Sequence, residues 1–175
     1  MSFDPKLKAF AFLSYAQEYF NAAKHLKENC SARAALAFIP PKPALLCLVH
    51  SAELMLKSFL IFKGVSLNEL RSKTLGHNQF KLYRKVRELG LPALSGLRLD
   101  GIRLILYANE NHRLRYRSDS QDLERGFSMA DWTVIEKFVL SLYRHVATVV
   151  YPADHDLLTQ SAKIASPKES ISTLS

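Results

Sequence analysis

Residues 43–64 read PALLCLVHSAELMLKSFLIFKG. Leu45, Leu48, Val49, Ala52, Met55, Leu56 and Phe59 recur at helical spacing, and Leu54, Leu60 and Phe62 carry the apolar surface round the flanks. A helix that is apolar nearly all round belongs in the middle of a set of packed helices rather than on their outside. Gly64 suits the left-handed residue that closes such a helix. One polar notch interrupts the run: His50, Glu53 and Lys57, spaced by three and four, fall on one face. Charges on a buried helix are costly unless paired. Glu53 and Lys57 therefore either satisfy each other, at a spacing and order that favour pairing, or line a functional groove.

Outward from this helix the chain reads as five helices and a tail. The first spans about Pro5 to Asn29, with Asp4 as its cap and Pro5 in its first turn. Phe10, Leu13, Ala16, Phe20, Ala23 and Leu26 form its inner stripe. Ile39-Pro40-Pro41-Lys42-Pro43 is a rigid extended linker, because each proline disfavours helix in the residue before it. Val65 to Leu75 reads as a loop with a short helical turn. The third helix starts near Gly76-His77-Asn78 and ends at Gly90, with Leu82, Val86 and Leu89 inside, helped by Phe80 and Tyr83. Lys81, Arg84 and Lys85 lie on its other face, with Arg87 nearby. The fourth runs from about Leu97 to Asn111 on Leu99, Ile102, Ile105 and Leu106, and a charged segment follows to Gly126. Ser128 and Asp131 form a capping-box start for the fifth helix. Its seam is Trp132, Ile135, Val139, Leu142, Val146 and Val149, and Pro152 ends it. Nothing alternates with period two, so the expected fold class is all-α, an up-and-down bundle of four to five helices. Residues 1–158 are expected to form one helical domain and 159–175 a disordered polar tail.

The apolar fraction of 48% indicates a globular chain. The longest unbroken apolar runs fall far short of the roughly 18 residues of a membrane span. The opening MSFDPKLKAF lacks the charged, apolar and cleavage regions of a secretory signal. Cys30 and Cys47 fit no metal spacing and read as reduced packing residues. The expected location is cytoplasmic, with no membrane partner. A formal charge of +8 and a pI of about 9.6 make a nucleic-acid footprint worth testing.

The common signatures of chemistry are absent. The six glycines form no nucleotide-binding fingerprint, and there is no His-Glu-x-x-His helix, cysteine cluster or Gly-x-Ser-x-Gly elbow. Neither a metal nor a cofactor is expected. Three polar sets remain. The first is His50, Glu53 and Lys57. The second is Gly76-His77, where a histidine near a helix N-terminus, kept neutral, caps the helix or contacts an anion. The third is Asn111-His112-Arg113-Leu114-Arg115-Tyr116-Arg117, which reads either as a solvated loop or an arginine paired with Glu53 or Asp119, or as a binding segment in which arginine forks suit phosphate and Tyr116 suits a stacked base.

The order of Ser-Ala-Glu-Leu-Met-Leu-Lys-Ser-Phe-Leu at 51–60, then Gly64, Gly76-His77 before an amphipathic helix, and a later Arg115-Tyr116 resembles the HEPN family. This is the domain of higher eukaryotes and prokaryotes associated with nucleotide binding. The likeness covers about residues 8 to 150. It implies a bundle of four or five helices that often forms a homodimer. Many members are metal-independent endoribonucleases of toxin–antitoxin or defence systems, encoded beside an antitoxin or nucleotidyltransferase partner. Others bind RNA, nucleotide or partner domains without catalysis. The nucleases carry an arginine and, after four to six residues, a histidine on a late helix. Here Arg113, Arg115 and Arg117 have no such histidine, and the one match, Arg71 with His77, falls in the loop after the central helix.

The expected function is therefore a non-catalytic or weakly catalytic HEPN-like module that binds RNA or a nucleotide in a basic groove. Its binding residues are Glu53, Lys57, His77, Arg113, Arg115 and Tyr116. The alternative is a metal-independent ribonuclease in which His77 moves the proton of a ribose hydroxyl and an arginine steadies the phosphate. The third reading is a structural dimer or partner-binding scaffold whose polar notch is an internal ion-pair network.

Overall fold

Capping chemistry sets the helix limits. Asp4 Oδ1 accepts from the Lys6 amide at 2.8 Å and starts α1 (Pro5–Ser31). Pro43 sits in the first turn of α2 (Lys42–Phe62), where a missing N–H costs nothing. Gly64 closes α2 at φ +88°, with the Gly64 and Val65 amides returning to the Ile61 and Leu60 carbonyls. Ser66 caps the short α3 (Leu67–Arg71) and Asn78 caps α4 (Gln79–Glu88). After α5 (Leu97–Asn109), Ser128 and Asp131 exchange both bonds of a capping box at the start of α6 (Met129–Val150). This structure, a computed structural model, describes residues 4–31, 40–72, 75–92, 97–109 and 127–151. Among the described residues all regular structure is helical, so the all-α expectation holds. The segment 111–117, Pro152 and the tail at 159–175 lie outside the described residues.

α2 is the core. It packs against α1, α6, α4 and α5, while α5 lies against α6. Leu45, Leu48, Met55, Leu56, Phe59 and Leu60 of α2 are buried with Leu13 of α1, Leu82 of α4, Ile105 of α5 and Trp132 and Phe138 of α6. Although its unbroken apolar runs are short, α2 as a whole has the length and composition of a membrane-spanning helix; most of that stretch is covered by the other helices. Trp132 is fully buried, and its indole N–H donates to Glu136 Oε2 at 2.9 Å.

α1 meets α2 along small residues. Ser51 Oγ donates to the Ala16 carbonyl and Ser58 Oγ to the Ala9 carbonyl, each at 2.7 Å. The residue numbers rise on one helix as they fall on the other, so the two helices run antiparallel. The same register sets Ala23 opposite Ala44, both fully buried. α5 meets α6 as closely at Gly101, where a Cβ would lie 2.3 Å from the Phe138 Cβ.

Three sequence expectations are corrected. Phe10 is not on the inner stripe of α1: Ala9 takes that place, and Phe10 is 45% exposed with its ring edge on Tyr151. Small residues win because the serine-to-carbonyl bonds demand close approach. Phe80 is 54% exposed rather than inside α4. His77 lies in the turn before Asn78, not in the first turn of the helix, because the Asn78 side chain takes the capping bond from the Lys81 amide.

Candidate functional site: a buried carboxylate among basic groups

The notch on α2 is built around Glu53, which is 2% exposed. Its Oε1 accepts from Lys57 Nζ at 2.6 Å, one helical turn on. The same oxygen lies 2.9 Å from His77 Nδ1. A carboxylate only accepts, so Nδ1 carries the hydrogen and, in the neutral ring, Nε2 is the basic nitrogen. His50 Nδ1 stands 4.0 Å from the other oxygen, Oε2, a charge contact beyond hydrogen-bond length. Three basic side chains thus converge on one buried acid.

Burial pushes the Glu53 carboxyl up; the Lys57 hydrogen bond and charge, then the His77 charge and hydrogen bond, outweigh it. The net pKa lies below the ordinary carboxyl value. Glu53 is therefore an anion at neutral pH.

The turn that carries His77 is pinned on both sides. Leu75 is buried before it and Gln79, 2% exposed, after it. Gln79 Nε2 donates to the Val49 carbonyl at 3.3 Å, which ties the start of α4 to α2 one turn from Glu53. Among the described residues, Gln79 Oε1 is buried with no hydrogen-bond partner. The His77 side chain is 63% exposed, so a buried anion holds an imidazole that solvent reaches. On the α1 side the Tyr19 ring meets His50 edge to face, centroids 4.5 Å apart at 84°. Tyr19 itself is 41% exposed.

Of the expected binding residues, the structure brings Glu53, Lys57 and His77 together. Arg113, Arg115 and Tyr116 lie outside the described residues. The basic face of α4 is partly neutralised: Arg84 pairs with Glu88 at 3.3 Å and Lys85 with Glu69 at 3.6 Å. Arg87 folds back onto the Leu91 carbonyl. The Lys81 side chain is exposed. Sequence reasoning did not single out Gln79 or Tyr19. Tyr19 carried no signal, because its place beside His50 depends on the α1–α2 register.

Cys47 is half-buried, and burial raises its thiol pKa, which lowers its reactivity at neutral pH. A cavity of about 130 Å³, lined by Gln17, Phe20, Asn21, Met55, Val139 and Tyr143 among others, opens elsewhere. Met55 is about 200° round α2 from Glu53 at 3.6 residues per turn, so this cavity is not part of the notch. Among the described residues no group of three or more His, Cys, Asp or Glu is placed to hold a metal ion. No protein-family model, curated protein or solved structure matches this chain.

Proposed function

We propose that this chain is a HEPN-like up-and-down bundle that binds RNA or a nucleotide at the Glu53 notch and the basic residues around it. The observation that carries the reading is the exposed imidazole of His77 held on a buried anion beside Lys57 and His50. Glu53 and Lys57 cancel, so any proton gained by His50 or His77 leaves the notch positive and suited to phosphate. Exposed Lys81 and the net charge of +8 add long-range attraction. Arg113, Arg115 and Tyr116 complete the proposed binding set, the arginines on phosphate and Tyr116 on a base. The protein acts in the cytoplasm as a homodimer. Fluorescence anisotropy with labelled single-stranded and structured RNA and with nucleotides tests the reading. Binding is expected to weaken in His77→Ala and with salt; no binding of any of these at low salt would leave only the scaffold.

A second reading is favoured by the His77 Nδ1 bond to Glu53. A carboxylate that fixes Nδ1–H orients the ring and makes Nε2 the basic nitrogen, the arrangement general bases use. A metal-independent ribonuclease would use it to activate a ribose 2′-hydroxyl. Such cleavage survives EDTA, leaves cyclic-phosphate ends and is abolished in His77→Ala. Cleavage that EDTA abolishes would overturn it.

A further inference from the structure

We infer that the cavity between α1 and α6 is a binding site for a small, uncharged, single-ring aromatic molecule with a hydrogen-bond donor beside an acceptor on one edge. The site lies away from the notch and stands or falls independently of either reading of it.

The helix arrangement makes the cavity. α1 and α6 both pack on α2 and meet each other only sparsely. Among the described residues, three side-chain links join them. Lys27 Nζ stands 3.9 Å from Glu136 Oε2 and 5.2 Å from the centre of the Trp132 ring. The Tyr143 hydroxyl donates to Gln17 Oε1 at 3.4 Å. The Phe10 ring meets Tyr151 edge to face, centroids 4.9 Å apart. Residue numbers fall on α1 as they rise on α6, so the two helices run antiparallel. Between the first two links they leave a cavity with Met55 of α2 at its base.

Size sets the first limit. Close-packed proteins hold few voids larger than a water molecule, and this one measures about 130 Å³. A dry cavity of about 150 Å³ holds benzene, so one six-membered ring fills the space. Leu140, 38% exposed, and the exposed amides of Gln17 and Asn21 border the opening to solvent, through which a substituent can project.

Chemistry narrows the occupant further. Phe20, Met55, Val139 and Leu140 give apolar walls, and a ring and a thioether favour an aromatic guest. None of the lining residues is charged, in a chain with 24 Lys and Arg and 16 Asp and Glu, so nothing in the cavity compensates a charged ligand. Burial raises the pKa of the Tyr143 phenol, which therefore stays neutral too. One edge is polar. Gln17 and Asn21, four residues apart, share a face of α1, and a primary amide presents N–H and C=O side by side. Such an amide pairs with a ligand edge that sets a donor next to an acceptor, as asparagine and glutamine pair with adenine. The Tyr143 hydroxyl occupies the Gln17 oxygen and leaves its NH2 group to donate, while Asn21 offers both of its groups.

Methionine-methyl NMR on the full chain tests the site. The chain has three methionines; Met55 lines the cavity, whereas Met129 opens α6. The probes are 2-pyridone, a neutral ring with adjacent N–H and C=O, benzene, which lacks that edge, and benzoate, which is charged. 2-Pyridone is expected to shift the Met55 methyl saturably, half-complete at about 1 mM or below, and to leave Met129 in place. Benzene is expected to bind about fivefold or more weakly, and benzoate not at all. Asn21→Leu and Gln17→Leu, both at exposed positions, should each bring 2-pyridone towards the benzene value and leave benzene binding unchanged. No saturable shift of Met55 with 2-pyridone up to about 10 mM would overturn the inference. Equal binding of benzene and 2-pyridone would also overturn it, by showing an apolar gap without a used edge. Benzoate bound as tightly as 2-pyridone would overturn the uncharged class.

Discussion

Glu53 and Lys57 stabilise the fold only as a pair. Glu53→Ala leaves Lys57, 12% exposed, as a cation without its anion in a largely buried place. The expected loss is about 3–5 kcal/mol, the range for breaking a buried pair. An unchanged urea midpoint would contradict it. The same carboxylate predicts the acid response. Its native pKa is lowered by Lys57 and His77 against the effect of burial. A group depressed in the folded state contributes fully above its unfolded value and loses that contribution as pH falls through the native value. Wild type should therefore lose stability below about pH 4.3, and the Glu53→Gln protein should lose less over that range. Parallel pH–stability curves for the two would count against the pair. Gln79 makes the opposite case. Its Oε1 is buried and unpaired, and an orphaned acceptor costs about 1–3 kcal/mol. Gln79→Leu removes that cost along with the bond to Val49, so a thermal melt within about 1 kcal/mol of wild type is expected.

Between helices the decisive residues are small. Ser51→Ala and Ser58→Ala each remove one bond from α2 to an α1 carbonyl and should each cost about 0.5–1.5 kcal/mol. The two serines lie about 10 Å apart along the axis, so the double variant should cost the sum of the two. A strongly non-additive result would mean that α1 docks through one bond and not both. Gly101→Ala sets two effects against each other. Alanine gains about 1 kcal/mol of helix propensity, but its Cβ would sit 2.3 Å from the Phe138 Cβ and 2.9 Å from its Cγ. Overpacking of about 1–3 kcal/mol wins, and guanidinium unfolding should show a net loss. These contacts also mark where the sequence stops being legible. The 3.6-residue periodicity of α2 and α6 is strong because burial selects large apolar residues there, and the capping box at Ser128 is a local code. α1 reads less well, since its inner stripe of Ala9, Leu13, Ala16 and Ala23 is defined by closeness rather than by hydrophobic bulk. Phe10 is the larger apolar residue and draws the reading off by one position. The notch divides in the same way. The pairing of Glu53 with Lys57 is legible from spacing, whereas the approach of His77 depends on the turn after α3 and the burial of Gln79.

For the whole molecule the net charge of +8 sets how it meets polyanions. If RNA is the ligand, log affinity should fall linearly with log salt, at a slope of about 0.7 per phosphate neutralised on a single strand. A flat dependence would mean that charge is not used. The proposed homodimer predicts a light-scattering mass of twice 19.8 kDa at tens of micromolar, and a stable monomer would contradict it. α2 has a further consequence, which falls in the seconds before the protein is finished. The ribosome releases α2 before α4, α5 and α6 exist to cover it. For that interval the emerging chain displays a segment with the length and composition that membrane-insertion machinery recognises. Glu53 lies next to the midpoint of Lys42–Phe62, where a charge opposes insertion most, with Lys57 one turn on. Each central charge of this kind adds about 2.5–3.5 kcal/mol against insertion. The pair that holds the notch together in the folded protein thus also opposes insertion of the nascent helix into a bilayer.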